Sequence, residues 1–244
     1  MSMNQNMNTN QNPNHSLVQV KSQEIRREMR FDDHVVLKYH ISYPQFLSHR
    51  FGRMLQNINM QYQLQAKKFV LRCEKKLYKM AVDQYDYSRR NRLPVQTFEA
   101  QDSFTMTYNQ NCALSLYMDR YEYLGGAHGN TERRSDTWYL ARGSHNEVLA
   151  FFPHVRNLKE TVVTQIIGQI EQEIESGGSS YFDDYEENVR QHFDYKSFYL
   201  TPKGVVFYFQ QYDIAPYVSG IPSFLIPYQR GGATPPSCNR GWPF

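Results

Sequence analysis

At 244 residues, with 27 basic and 24 acidic side chains, the chain carries a formal charge of only +3, a balance that argues against a nucleic-acid binder. Its 40% hydrophobic share leans on 19 tyrosines and 15 phenylalanines, so the predicted core is aromatic-rich, with many rings half-buried on sheet faces. No stretch approaches the roughly 20 apolar residues of a membrane span. Three cysteines, Cys73, Cys112 and Cys238, cannot all pair and lack CxxC spacing, which reads as a reduced compartment or a chain that needs no disulfides.

Asparagine occupies every even position from Asn4 to Asn14. This tract has neither the basic start nor the apolar run of a signal peptide, so residues 1–28 read as a disordered head. The expected location is accordingly cytoplasmic or spore-associated. From Val35 to Tyr43 apolar and polar residues alternate, which predicts a half-buried strand preceded by an Asp32-Asp33 turn and by Met29 to Phe31. Pro44 is expected to end that strand and open a helix. Leu47, Phe51, Leu55, Ile58, Tyr62, Ala66, Phe69, Cys73, Leu77 and Met80 then recur at steps of three and four, the stripe of one long amphipathic helix ending by Ser88. At about 60 Å it exceeds a small domain, so a break or a curve is expected.

An antiparallel meander follows from Val95 to Arg142, with a turn at Asn109 to Asn111 and a second at Gly125-Gly126-Ala127-His128-Gly129. A second helix places Leu158, Val162, Ile166, Ile170 and Ile174 on one face, and Gly177-Gly178 stops it. A short acidic helix lies within Tyr181 to Phe193. A hairpin turning at Pro202-Lys203-Gly204, an aromatic loop and a final strand complete the body, and residues 231–244 form an irregular tail. The class is α+β, antiparallel sheets each packed by amphipathic helices, in two subdomains at 29–145 and 146–230.

The sequence carries no GxSxG elbow, no HExxH and no phosphate loop. His128 lies in a glycine-rich turn without a second ligand at metal spacing, so Gly125, Gly126, His128 and Gly129 read as a structural reversal, and no metal or cofactor is expected. The carboxylates Asp183, Asp184, Glu186 and Glu187 read as a solvated helix face, and Arg26-Arg27, Arg89-Arg90 and Arg133-Arg134 as solvated surface. Asp213 stands among tyrosines beside an expected groove, where an aspartate in a turn commonly accepts backbone N–H groups.

Three landmarks carry a family resemblance: a Tyr-rich strand ending in GGAHGNT (Gly125 to Thr131), the motif FYLTPKGVVFYFQQYDIAPYVSG (Phe198 to Gly220), and the closing IPY (Ile226 to Tyr228). Over roughly residues 30 to 230 the chain resembles the tandem of two uncharacterised domains in the extracytoplasmic part of the anti-sigma factor RsiV. Its first half is also similar to the domain preceding the catalytic part of the peptidoglycan deacetylase PdaC. The resemblance implies a two-part α+β binding module, with a lysozyme-like muramidase or a cell-wall glycan as ligand. Tyr212, Asp213, Pro216, Tyr217 and Gly220 are the candidate binding loop, whose rigid aromatic residues lose little entropy on meeting a partner. Tyr217 has a second reading, in which its ring tucks under the sheet and pins the corner. The alternatives are a cell-wall hydrolase or deacetylase accessory enzyme using His128 or Asp213, and a structural protein of the cytosol or spore.

Overall fold

The computed structural model describes residues 18–178, 180–229 and 232–238. Strands β1 (Gln19–Phe31) and β2 (His34–Leu47) form a long antiparallel hairpin. Asp32 and Asp33 turn it with φ of 46° and 61°, the left-handed pair that a two-residue hairpin loop needs. β1 therefore takes up the last ten residues of the stretch read as a 28-residue head, while residues 1–17 lie outside the described residues. All of β1 but Met29 to Phe31 escapes a pattern search because it is an edge strand with most side chains in solvent. Pro44 does not open a helix. It sits within β2 opposite Ser22, beyond Ile41 where pairing to the next strand stops, so its missing N–H costs no ladder bond on that side.

The long helix is continuous from α1 (Gly52–Arg72) through a π-helical turn (Cys73–Leu77) into α2 (Tyr78–Arg90). The buried residues explain the turn: Phe69, Cys73, Leu77, Ala81 and Tyr85 are spaced by four throughout. A helix of 3.6 residues per turn drifts off such a row, and one wide turn restores it. The same slip moves the buried position from the expected Met80 to Ala81.

Beyond the helix run β3 (Phe98–Gln110), β4 (Ala113–Tyr123), β5 (Asn130–Tyr139) and the two-residue β6 (Ser144–His145), giving a sheet of order β1-β2-β3-β4-β5-β6. All its pairings are antiparallel except β2 with β3, which are parallel, so the sheet is mixed rather than purely antiparallel. The helix is the crossover that a parallel pair requires. Leu114, Leu116 and Met118 of β4 face α1, packing with Leu55, Ile58 and Tyr62. The alternate residues Ser115, Tyr117, Asp119 and Tyr121 therefore point to the other, outer face.

The second half contains α3 (Leu158–Glu175), α4 (Tyr185–His192) and a sheet of β7 (Phe198–Thr201), β8 (Gly204–Tyr208) and β9 (Ser223–Pro227). Asn157 caps α3 by accepting from the Glu160 N–H, and Gly177 (φ 71°) closes it with its N–H on Ile174 O. Val162, Ile166 and Ile170 are buried as expected, but Ile174 is exposed. β7, an edge strand, crosses the outer face of β4 and β5. There the Leu200 N–H donates to Ser115 Oγ (2.9 Å), and Ser135 Oγ donates to Phe198 O (2.5 Å). Hydroxyls thus serve β7 where a strand neighbour would, and Tyr108 and Ala113 of the first half join the core around α3.

One expectation fails at the C-terminus. Cys112, in the β3–β4 turn, is disulfide-bonded to Cys238, so the chain does use a disulfide. The segment 232–238 forms no helix or strand but is held to the body: Ala233 is fully buried and bridges Tyr228, and the Thr234 N–H donates to Phe151 O at 2.8 Å. Cys73 is the free, buried thiol expected of its stripe position.

Candidate functional site

The glycine-rich turn joins β4 to β5, and its residue types follow from its path. Gly125 and Gly126 have φ of 84° and 106°, closed to most side chains, and the Gly126 N–H donates to Gln96 Oε1 (2.9 Å). At Gly129 a Cβ would fall 2.3 Å from the Tyr121 ring, so only glycine lets β5 begin there. His128 Nδ1 donates to Gly129 O at 3.0 Å. That tautomer leaves Nε2 as an acceptor, and the Tyr212 hydroxyl donates to it at 3.3 Å.

The aromatic loop is fastened to the same place from the other half of the chain. Between Asn130 and Arg133 the outer edge of β5 has no strand partner. Gln210 fills the gap, its Oε1 accepting from Arg133 N–H (2.8 Å) and its Nε2 donating to Arg133 O (2.6 Å), while Gln211 Oε1 accepts from Thr131 N–H (2.7 Å). Asp213 closes the loop by accepting from Gln210 N–H at 2.7 Å and lies 3.5 Å from His192 Nδ1, so its carboxylate holds a turn. Tyr212 is thereby forced to φ 68° and stands half in solvent, 49% exposed. Pro216 leads into a 3₁₀ turn, Tyr217–Ser219, and Gly220 (φ 66°) ends it.

The two motifs read separately in the sequence thus form one surface cluster. The Tyr217 ring stacks on His128 with centroids 4.0 Å apart and planes 23° apart, and Tyr212 lies 6.0 Å from Tyr217. Tyr217 is only half-buried, and its ring lies against the imidazole rather than beneath the sheet. Tyr121, Gln210 and Gln211 complete the cluster and were not singled out. Gln210 and Gln211 stand inside the quoted motif, but nothing local says that their amides would serve a strand edge.

The arginines correct another expectation. Arg133 is no solvated cation: its side chain is 12% exposed, makes a bidentate pair with Asp119 (2.7 Å) and lies 3.7 Å over the Tyr117 ring. Burial opposes its charge, but Asp119 outweighs this and holds its pKa above the usual arginine value. On the helix face Asp102 is fully buried between Arg120 (2.7 Å) and Arg134 (3.0 Å). The carboxylates Asp183, Asp184, Glu186 and Glu187 are exposed around the first turn of α4, where they suit the helix dipole. Among the described residues no group of three or more His, Cys, Asp and Glu side chains converges as a metal site, and no helix is long and apolar enough to cross a membrane.

Residues 32–131 match the family model described as Deacetylase PdaC, and residues 151–229 match that of a protein of unknown function, DUF3298. No curated protein matches the sequence. The crystal structure of a DUF3298-family protein from Bacteroides fragilis is similar with a TM-score of 0.63 at 15% identity, covering 88% of this chain and 92% of that one. A DUF3298-family protein from Pseudomonas aeruginosa is 13% identical over 90% and 95% of the two chains, with a TM-score of 0.48. The likeness to the Bacteroides protein is one of fold.

Proposed function

Because this chain is a tandem of a PdaC-type domain and a DUF3298 domain, we propose that it is a non-catalytic binding module of the cell envelope. Its ligand is a cell-wall glycan or a muramidase that acts on one, and it docks on the cluster of His128, Tyr212 and Tyr217. The observation that carries this reading is the stack itself. Two motifs 84 positions apart, one from each domain, are brought together at the surface and present aromatic faces already fixed by hydrogen bonds. Such pre-ordered rings bind without a large ordering cost. Asp213 and His128 are engaged in holding the two loops, which favours binding over turnover. The Cys112–Cys238 bridge supports an oxidising, extracytoplasmic setting over the cytoplasmic or spore-associated one.

The test is binding of the intact chain to insoluble peptidoglycan by co-sedimentation and to a soluble muramidase by calorimetry. Replacing Tyr217 or Tyr212 by Ala is expected to weaken the productive interaction by about tenfold or more, the scale of one lost aromatic anchor. The melting temperature should change little, because neither ring is in the core. Binding to neither ligand, or binding indifferent to both substitutions, overturns the assignment.

A further inference from the structure

β7 covers the outer face of the first sheet over β4, β5 and the later part of β3, and the face of β1, β2 and the start of β3, with Glu99 and Gln101, is open. A cavity of about 430 Å³ lies there. Its floor is the backbone of Arg27, Tyr39 and Ala100, whose side chains turn to the helix side, as Tyr39 does in donating to Glu74. The strand register defines its two walls. One transverse row is Arg26, His40, Gln101 and Tyr121, each opposite the next. The other is Glu28, Lys38, Glu99 and Tyr123. Between the rows runs a trough three strand spacings long, about 14 Å. It starts at the free edge of β1 and ends at the glycine turn, where Tyr121 packs on Gly129 and Tyr123 donates to Gly126 O. The His128–Tyr217 stack stands at that end.

The fixed charges of the walls largely cancel. Arg26 pairs with Glu24 at 2.6 Å and Lys38 with Glu28 at 3.3 Å, and Glu99, opposite Lys38 in the register, is the one remaining wall carboxylate. His40 Nε2 is occluded yet makes no hydrogen bond, with Glu24 no nearer than 3.5 Å. The trough therefore offers imidazole, amide and phenol groups leading to stacked rings, between charged side chains of both signs, Arg26 and Lys38 against Glu28 and Glu99, so that its net charge is small. That chemistry complements a neutral, polyhydroxylated ligand whose sugar rings carry apolar faces, and it complements a charged peptide or nucleotide poorly.

We infer that the trough holds a linear glycan strand, laid across the strands from β1 to β4 with its terminal ring on the His128–Tyr217 stack. The inference rests on the binding function proposed above, which makes β-1,4-linked N-acetylhexosamine the glycan to test. A strand seated this way touches the aromatic cluster with one or two sugars and the polar rows with the rest, so affinity must depend on length.

The experiment is calorimetry of the intact chain with the N-acetylglucosamine disaccharide and pentasaccharide. The pentasaccharide is expected to bind about tenfold tighter or more. The double variant His40→Ala/Gln101→Ala, with both changes on the open sheet face, should erase that advantage and leave disaccharide binding unaltered. Tyr217→Ala should weaken both. Equal affinity for the two lengths, or a double variant that keeps the advantage, overturns the trough assignment and leaves the aromatic site standing. Binding to a muramidase with no affinity for either saccharide likewise overturns the glycan assignment while the binding-module reading survives. Failure to bind saccharide, peptidoglycan and muramidase alike removes both.

Discussion

Two glycines with opposite surroundings mark how tightly single residues are constrained. At Gly204, where β8 leaves the turn, a Cβ would lie 2.2 Å from Ile226 O and 2.8 Å from Pro227 Cα, both backbone atoms of β9 that cannot move aside without breaking the pairing. Gly168, within α3, has nothing within 4 Å of the same position. Gly204→Ala should therefore cost about 2–3 kcal/mol by overpacking. Gly168→Ala should gain about 0.5–1 kcal/mol from helix propensity. Urea unfolding of the two variants checks both signs, and a neutral Gly204→Ala would mean that β9 is looser than its register indicates. Cys73 is constrained chemically rather than sterically: burial, reinforced by the nearby Glu122, pushes its thiol up to about 12, so it is a poor nucleophile in the folded chain.

At the scale of elements, the Cys112–Cys238 bridge joins the β3–β4 turn to the C-terminal segment across a sequence separation of 126. Cross-linking so long a loop restricts the unfolded chain, and the double variant Cys112→Ser/Cys238→Ser is expected to lose about 2–4 kcal/mol. The fold should survive, because Ala233 and Thr234 keep their own contacts, but carboxypeptidase should then trim the end of the chain faster. Unchanged stability and trimming would show the bridge to be idle. The bridge was illegible in the sequence, since an odd number of cysteines says nothing about which two meet, and neither partner lies in a patterned segment. The helices and the inner strands were legible, because burial on one face writes a period of 3.6 or 2 into the residues. The π-turn was half legible: the steps of four hold from Phe69 to Leu77, but an ordinary helical step of three leads from there to Met80 instead of to the buried Ala81 and Tyr85. Only the end of β1, Met29 to Phe31, and its Asp32-Asp33 turn were legible, and the parallel join of β2 to β3 left no local trace. An exposed edge strand needs no alternation, and strand direction is set by the crossover rather than by the strand. For the site, each motif could be read, but not their meeting. His128 and Tyr212 are neighbours only because Gln210 and Gln211 fasten one loop to the edge of β5.

For the whole molecule the aromatic core carries a consequence for alkaline stability. Tyr62, Tyr108, Tyr199, Tyr208 and Tyr228 all have phenol pKa values raised by burial, with the Asp136 charge adding to it at Tyr62 and Arg133 opposing it at Tyr199. They span both halves: Tyr62 sits on the buried face of α1 and donates to Asp136, while Tyr199 and Tyr208 sit where the two sheets meet. An unfolded phenol ionises near pH 10, about where model tyrosines do. The raised groups stay protonated in the fold above that pH, so the folded chain then binds more protons than the unfolded one. Their contribution to stability is therefore complete below about pH 10 and is lost as pH climbs toward the raised folded values. Because the five rings are divided between the halves and share the junction, the loss should unfold both halves together. The expected observation is a titration in which exposed tyrosines ionise first, followed by a single step where the remaining 295 nm absorbance and the far-UV circular dichroism change at one pH. Two separated steps would show that the sheets melt independently, despite the hydroxyls of Ser115 and Ser135 that tie β7 to the first sheet. Full ionisation with the fold intact would mean that the interior admits water to these rings.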